Sequence, residues 1–165
     1  MMRQATLADL RAIVAVIENA RAFLKRQGID QWQTSSYPNV SDVSADIETG
    51  VGYVLEIDGE IAGYAAVITG FDPAYDKIQD GAWLNDNRDY VTIHRLALSD
   101  QFRGRALAQQ FFRAIFAEFS SYHDFRCDTH TENQIMQHIL TKLGFEKCGI
   151  VLFEGARLAF QSVGK

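Results

Sequence analysis

Two arginines and a run of small residues, Arg103-Gly104-Arg105-Ala106-Leu107-Ala108, stand between an apolar stretch (Tyr90 to Leu98) and a long amphipathic segment. The chemistry open to such a run is anion binding. The first amides of a helix lack intrahelical partners and lie at the positive end of its dipole, so a phosphate set there receives several N–H donors at once. Gly104 permits the dihedrals of a tight turn, while Ala106 and Ala108 keep the first helical turn low. Arg103 and Arg105 add fixed positive charge to a chain whose net charge is −5. Strand-turn-helix units of this kind are also common plain architecture, so spacing alone leaves both readings open.

Other residue types that carry chemistry are dispersed. His94, His123, His130 and His138 form no HExxH or Cys/His pattern, and no metal site is expected. Cys127 and Cys148 make no CxxC pair and read as free, buried thiols. Trp32 lies in a polar loop after Gly28; it either lines a substrate cleft or plugs the underside of the loop. Tyr75 and Trp83 lie in a long segment rich in Gly, Asp and Asn, Thr69 to Asp89, which has the character of a lid. They are candidate substrate contacts, with packing anchors as the competing reading.

The elements that must position these residues follow from periodicity. Arg3 to Ala5 makes a short strand. Thr6-Leu7-Ala8-Asp9 resembles a capping box, and Leu7, Leu10, Ile13, Val14, Ile17 and Leu24 form a helical stripe that ends near Gly28. A second helix runs from Pro38 to Gly50, capped by Ser41 or Asp42. Gly52 to Ile57 and Glu60 to Ile68 flank Asp58-Gly59, the strongest hairpin signal in the chain. After the central strand, Leu107, Phe111, Ile115 and Phe119 mark a helix docked on a sheet. A buried strand at Asp124 to Asp128, a Thr131 to Gln134 capping box, a helix closed by Gly144, and strands Phe145 to Phe153 and Ala156 to Val163 complete the order β-α-α-β-β-β-α-β-α-β-β. This is one α/β domain over residues 1–165.

Bulk properties narrow the function. A composition of 47% hydrophobic and 22% charged residues is ordinary for a globular protein, and the acidic balance argues against a nucleic-acid binder. No apolar run approaches the roughly 20 residues that span a bilayer, and Met1-Met2-Arg3-Gln4 opens no secretory signal, so a cytoplasmic protein without a membrane partner is expected.

Three features together resemble the GNAT superfamily of acyl-CoA-dependent N-acetyltransferases: Leu96-Ala97-Leu98 ending the central strand; Arg103 to Ala108 beyond it; and Asn133 followed by Lys142-Leu143-Gly144-Phe145. The family's turn pattern is Q/R-x-x-G-x-G/A. Gln101 to Ala106 fits it literally, but the distance from Leu98 favours a start at Arg103, which puts Ala106 where glycine is typical. The resemblance implies a mixed central sheet flanked by helices and acetyl-CoA as co-substrate. Pantetheine would lie along Leu96, Ala97 and Leu98, with Ala97 on a bulge, and pyrophosphate on the amides of Arg103, Gly104, Arg105, Ala106, Leu107 and Ala108. Asn133 would contact pantetheine, or serve as an ordinary cap-region residue.

The implied reaction transfers an acetyl group to a primary amine, on a small molecule or a peptide, by direct attack in a ternary complex. At pH 7 only about one lysine-like amine in 2,500 is neutral, so a base is needed. Many members carry a glutamate on the central strand; here the strand offers His94, and an unperturbed imidazole accepts a proton near pH 6.5. His130 is the second candidate. The tyrosine often assigned as the acid for the thiolate is replaced by Leu140. A GNAT-fold module that binds acyl-CoA or a partner without efficient catalysis is the alternative, and the resemblance allows a homodimer.

Overall fold

The computed structural model describes residues 1–102 and 106–164. Its strands make a mixed seven-stranded sheet in the order β1-β2-β3-β4-β5-β7-β6, with flanking helices. The chain divides into two compact units, one of Met1–Val67 with Arg95–Glu118, the other of Ile68–His94 with the chain from Phe119 onward.

The first unit holds β1 (Met2–Gln4), α1 (Leu10–Arg26), α2 (Val40–Glu48), β2 (Gly52–Ile57), most of β3 (Glu60–Gly70), the end of β4 (Tyr90–Leu98) and α4 (Leu107–Glu118). The Thr6 amide donates to Asp9 Oδ2 at 2.8 Å, but a 3-10 turn over Leu7–Asp9 comes before the α-helix. That turn takes Leu7 out of the stripe and leaves it 62% exposed, while Ile13, Val16, Ile17 and Leu24 are buried as the period requires. The α2 cap is Asn39, not Ser41 or Asp42: its Oδ1 accepts from the Asp42 amide, and Asp42 Oδ2 accepts from the Asn39 amide in return. Asp58 and Gly59 both take positive φ, 54° and 79°, as a two-residue hairpin turn demands. Gly63 is closely packed: a Cβ there would lie 3.0 Å from Leu98 Cδ2 and 3.1 Å from the Phe111 ring.

The second unit holds α3 (Pro73–Asp76), the start of β4, β5 (Asp124–His130), α5 (Gln134–Lys142), β6 (Glu146–Leu152) and β7 (Ala156–Val163). β5 pairs parallel with β4 and antiparallel with β7, which also takes β6. The α5 cap is Asn133 alone, whose Oδ1 accepts from the Met136 amide at 3.2 Å, so the expected Thr131 box does not form. Strand alternation puts Asp124, Arg126, Asp128 and His130 on one face of β5, level with Thr92 on β4 and with Gln161 and Arg157 on β7. Asp124, Arg126, Arg157 and Gln161 are all buried.

What buries them is the segment between β3 and β4, expected as a lid and found as a strap bonded along its length. Gln79 and Ile150 exchange two backbone hydrogen bonds of 2.7 and 2.8 Å, and the Ala82 amide donates to Cys148 O. The strap also answers the sheet's polar groups one by one. Leu84 N donates to Gln161 Oε1, Arg126 Nη2 to Asn85 Oδ1, and Asn87 Nδ2 to Asp124 Oδ2.

Candidate active site

The strap and the strand ends of the second unit meet at His94. Its Nε2 lies 2.9 Å from Asp72 Oδ2 and its Nδ1 lies 3.9 Å from Asp128 Oδ2, too far for a hydrogen bond. A carboxylate only accepts, so in the neutral ring Nε2 carries the proton and Nδ1 the lone pair. The imidazole is stacked against Phe153 with centroids 5.3 Å apart and tilted against Tyr75 at 5.6 Å. These contacts fix the plane of the ring.

Each carboxylate is held in turn. Asp72 caps α3, its Oδ1 accepting from the Ala74 amide at 2.9 Å, and the Asp72 amide donates to Tyr90 Oη. Asp128 accepts from Tyr75 Oη–H at 2.5 Å and pairs with Arg157 Nη1 at 3.4 Å. Burial, followed by the Asp128 charge, pushes the Tyr75 hydroxyl well above its ordinary range, so it stays protonated as a donor. Among the described residues, Thr92 Oγ1 and Arg157 Nε are buried without a hydrogen-bond partner.

His130 is placed differently. Its Nδ1 accepts from the Glu132 amide at 3.1 Å, which in the neutral ring leaves the proton on Nε2 and commits the lone pair to the backbone. The thiols are both free, and burial pushes Cys127 well up and Cys148 up as well, which makes them poor nucleophiles.

The other residues singled out from sequence take these positions. Trp32 is buried in the core cluster of the first unit at φ 65°, and its carbonyl accepts from Arg21 Nη1. Tyr75 is fully buried, and Trp83 donates its Nε1–H to the Tyr75 carbonyl, so both pack within the second unit. Within β4 the residue at positive φ is Arg95, at 55°, and Ala97 is buried in the core cluster. Left-handed backbone at Arg95 accompanies its guanidinium on buried Asp46, with Nε–Oδ2 2.9 Å and Nη2–Oδ1 2.6 Å, beside the Tyr64 hydroxyl that donates to the same carboxylate. Leu96 and Leu98 are half-buried, and Leu107 and Ala108 are buried at the start of α4.

Arg103, Gly104 and Arg105 lie outside the described residues. Ala106 stands at φ 52°, in the region where glycine is unstrained, and its carbonyl accepts the Gln110 amide as the first helical bond. The amides of residues 107–109 are then the helix's leading donors. Asp72, Asp128 and Arg157 escaped the sequence reading. Only the alternation of β5 against His94 could have flagged Asp128; nothing local flags Asp72.

The sequence matches the family model described as acetyltransferase (GNAT) family over residues 17–145. A GNAT-family acetyltransferase from Streptococcus agalactiae 2603 is 47% identical, with 100% of this chain and 95% of that chain covered and a TM-score of 0.95. A GNAT-family acetyltransferase from Listeria monocytogenes 4b F2365 shares the fold at 20% identity, with 99% of this chain and 94% of that one covered and a TM-score of 0.73. So does the ribosomal-protein-alanine N-acetyltransferase of Brucella melitensis, at 19% identity, 99% coverage of each chain and a TM-score of 0.69. A search of curated proteins found no match. The chain belongs to the acetyltransferase (GNAT) family, whose acyl donor is acetyl-CoA.

Proposed function

We propose that this chain is an N-acetyltransferase that moves the acetyl group of acetyl-CoA to a primary amine, with His94 as the base. The observation that carries the reading is the difference between the two histidines. His94 presents Nδ1 with its lone pair uncommitted, whereas the His130 Nδ1 lone pair is taken by the Glu132 amide. Acetyl-CoA supplies the thioester carbonyl that the amine attacks. For holding it, the reading assigns the amides of Ala106, Leu107 and Ala108, together with Arg103, Gly104 and Arg105 of the motif, to the pyrophosphate. Leu96, Ala97, Leu98 and Asn133 are assigned to the pantetheine.

Proton accounting gives His94 its task. The bound ammonium gives one proton to Nδ1 and the neutral amine attacks; the second proton, shed by the nitrogen as the C–S bond breaks and the amide forms, reaches the departing thiolate through solvent, and the imidazolium returns its own proton to solvent between turnovers. Leu140, buried where the family often has a tyrosine, donates nothing, so the thiolate leaves with a solvent proton. The amine itself is a small molecule or a peptide.

The test is release of CoA thiol that depends on an added amine. His94→Ala is expected to lower kcat by about 10²- to 10⁴-fold, the usual worth of a positioned general base, with CoA affinity retained. Unchanged turnover in His94→Ala overturns the base assignment. Tight CoA binding without thiol release across a broad amine panel overturns the enzyme reading in favour of an acyl-CoA-binding module.

A further inference from the structure

We infer that Asp72 is the positioning residue for His94: the strap carboxylate accepts the Nε2–H hydrogen bond and so turns the Nδ1 lone pair toward the place where the amine's proton is received, beside Asp128. The inference rests on the proposed role of His94 and says what makes that role available. Three observations lead to it. The Asp72 oxygen is 2.9 Å from Nε2, the shortest polar contact of the ring, and the side chain has little freedom because its other oxygen caps α3. The main chain at Asp72 is tied to the Tyr90 hydroxyl, so the carboxylate is fixed from both sides.

Among the described residues, the groups facing the ring are Asp72 before α3, Tyr75 on α3, Asp128 on β5 and, through Asp128, Arg157 on β7; Phe153, after β6, is apolar. In the resting state a neutral imidazole donates to Asp72. Once Nδ1 takes a proton, the new N–H faces Asp128 Oδ2 across 3.9 Å, and the cation lies between two carboxylates. One proton passes from the ammonium to Nδ1 while Asp72 only accepts the Nε2–H hydrogen bond, and the second, shed by the nitrogen as the amide forms, reaches the thiolate through solvent.

Two measurements test this. Ring ¹⁵N spectra of the whole enzyme should show neutral His94 with its proton on Nε2, which needs no variant. Asp72→Asn keeps an N-cap oxygen for α3 and replaces the carboxylate oxygen facing Nε2 with an uncharged NH2 donor. It should lower kcat/KM about 10- to 100-fold and abolish the Nε2–H preference in the ring ¹⁵N spectrum, with CoA affinity unchanged. A wild-type ring protonated on Nδ1 overturns the inference. So does an Asp72→Asn enzyme with parental kcat/KM and an unchanged ring ¹⁵N spectrum beside an inactive His94→Ala enzyme, and that outcome leaves the base assignment standing. Unchanged turnover in His94→Ala with an Nε2-protonated ring overturns the base and keeps the orientation by Asp72.

Discussion

Gly149→Ala should loosen the strap that carries Asp72 and Tyr75, and its cost follows from the geometry of one bridge. A Cβ at Gly149 would fall 2.6 Å from the Gln79 carbonyl oxygen and 3.0 and 3.1 Å from Ile78 Cγ1 and Cδ1. The oxygen is backbone, so it cannot rotate away as a side-chain tip would, and relief requires the strap to retreat. The same backbone makes the two Gln79–Ile150 hydrogen bonds, with the Ala82–Cys148 bond close by. Losing two or three bonds at about 1 kcal/mol each predicts a destabilisation of about 2–3 kcal/mol. For a chain of this size that is a fall in Tm of roughly 4–12 °C. Thermal melting checks the first number, and hydrogen exchange should speed up at the Gln79, Ala82 and Ile150 amides while the β1–β2 ladder stays protected. Because the strap holds Asp72 against His94, kcat should fall with little change in CoA binding. A variant that melts within about 1 °C of the parent, with strap amides exchanging at the parental rate, refutes the claim that this bridge pins the strap.

Two further perturbations probe the first unit. Asp46→Ala leaves the largely buried Arg95 guanidinium without its carboxylate, its Nη1 still donating to the Tyr37 hydroxyl, and should cost about 3 kcal/mol or more in urea unfolding, whereas Asp46→Leu combined with Arg95→Met should recover most of it. The hydrogen-bonded Arg3 guanidinium holds the Asp9 carboxyl down at about 2, against an ordinary value of 3.8. A depressed folded value means the stabilisation is present above about pH 4 and is lost as pH falls toward 2. Arg3 is a third exposed and screened by solvent, so Asp9→Asn should lose only about 1 kcal/mol at pH 7, with parent and variant converging near pH 2 in denaturation curves.

What the amino-acid sequence determines by itself is everything carried by short-range periodicity and turn chemistry. The apolar stripes of α1 and α4, the Asp58-Gly59 turn, the strand succession and the Arg103 to Ala108 motif are local features, and the family is legible from them. Even the departure at Ala106 has a local meaning, since a left-handed residue there is the reason glycine is typical. Caps were less legible. Asn39 and Asn133 compete with neighbouring Ser, Thr and Asp residues that offer the same chemistry, and the tertiary path of the chain decides between them.

The arrangement around His94 belongs to tertiary structure. Asp72 and Asp128 stand 22 and 34 positions from His94 in opposite directions along the chain, and neither lies in a motif. Parallel pairing of β4 with β5 brings Asp128 level with His94, and the bridge at Ile150 lays the strap across the same face. The segment from Thr69 to Asp89 reads as a lid because it is polar and irregular. Its polar residues are instead the partners of a buried polar sheet face, a complementarity that exists only once distant strands are side by side, because a hydrogen bond is decided by ångströms in space and not by separation along the chain.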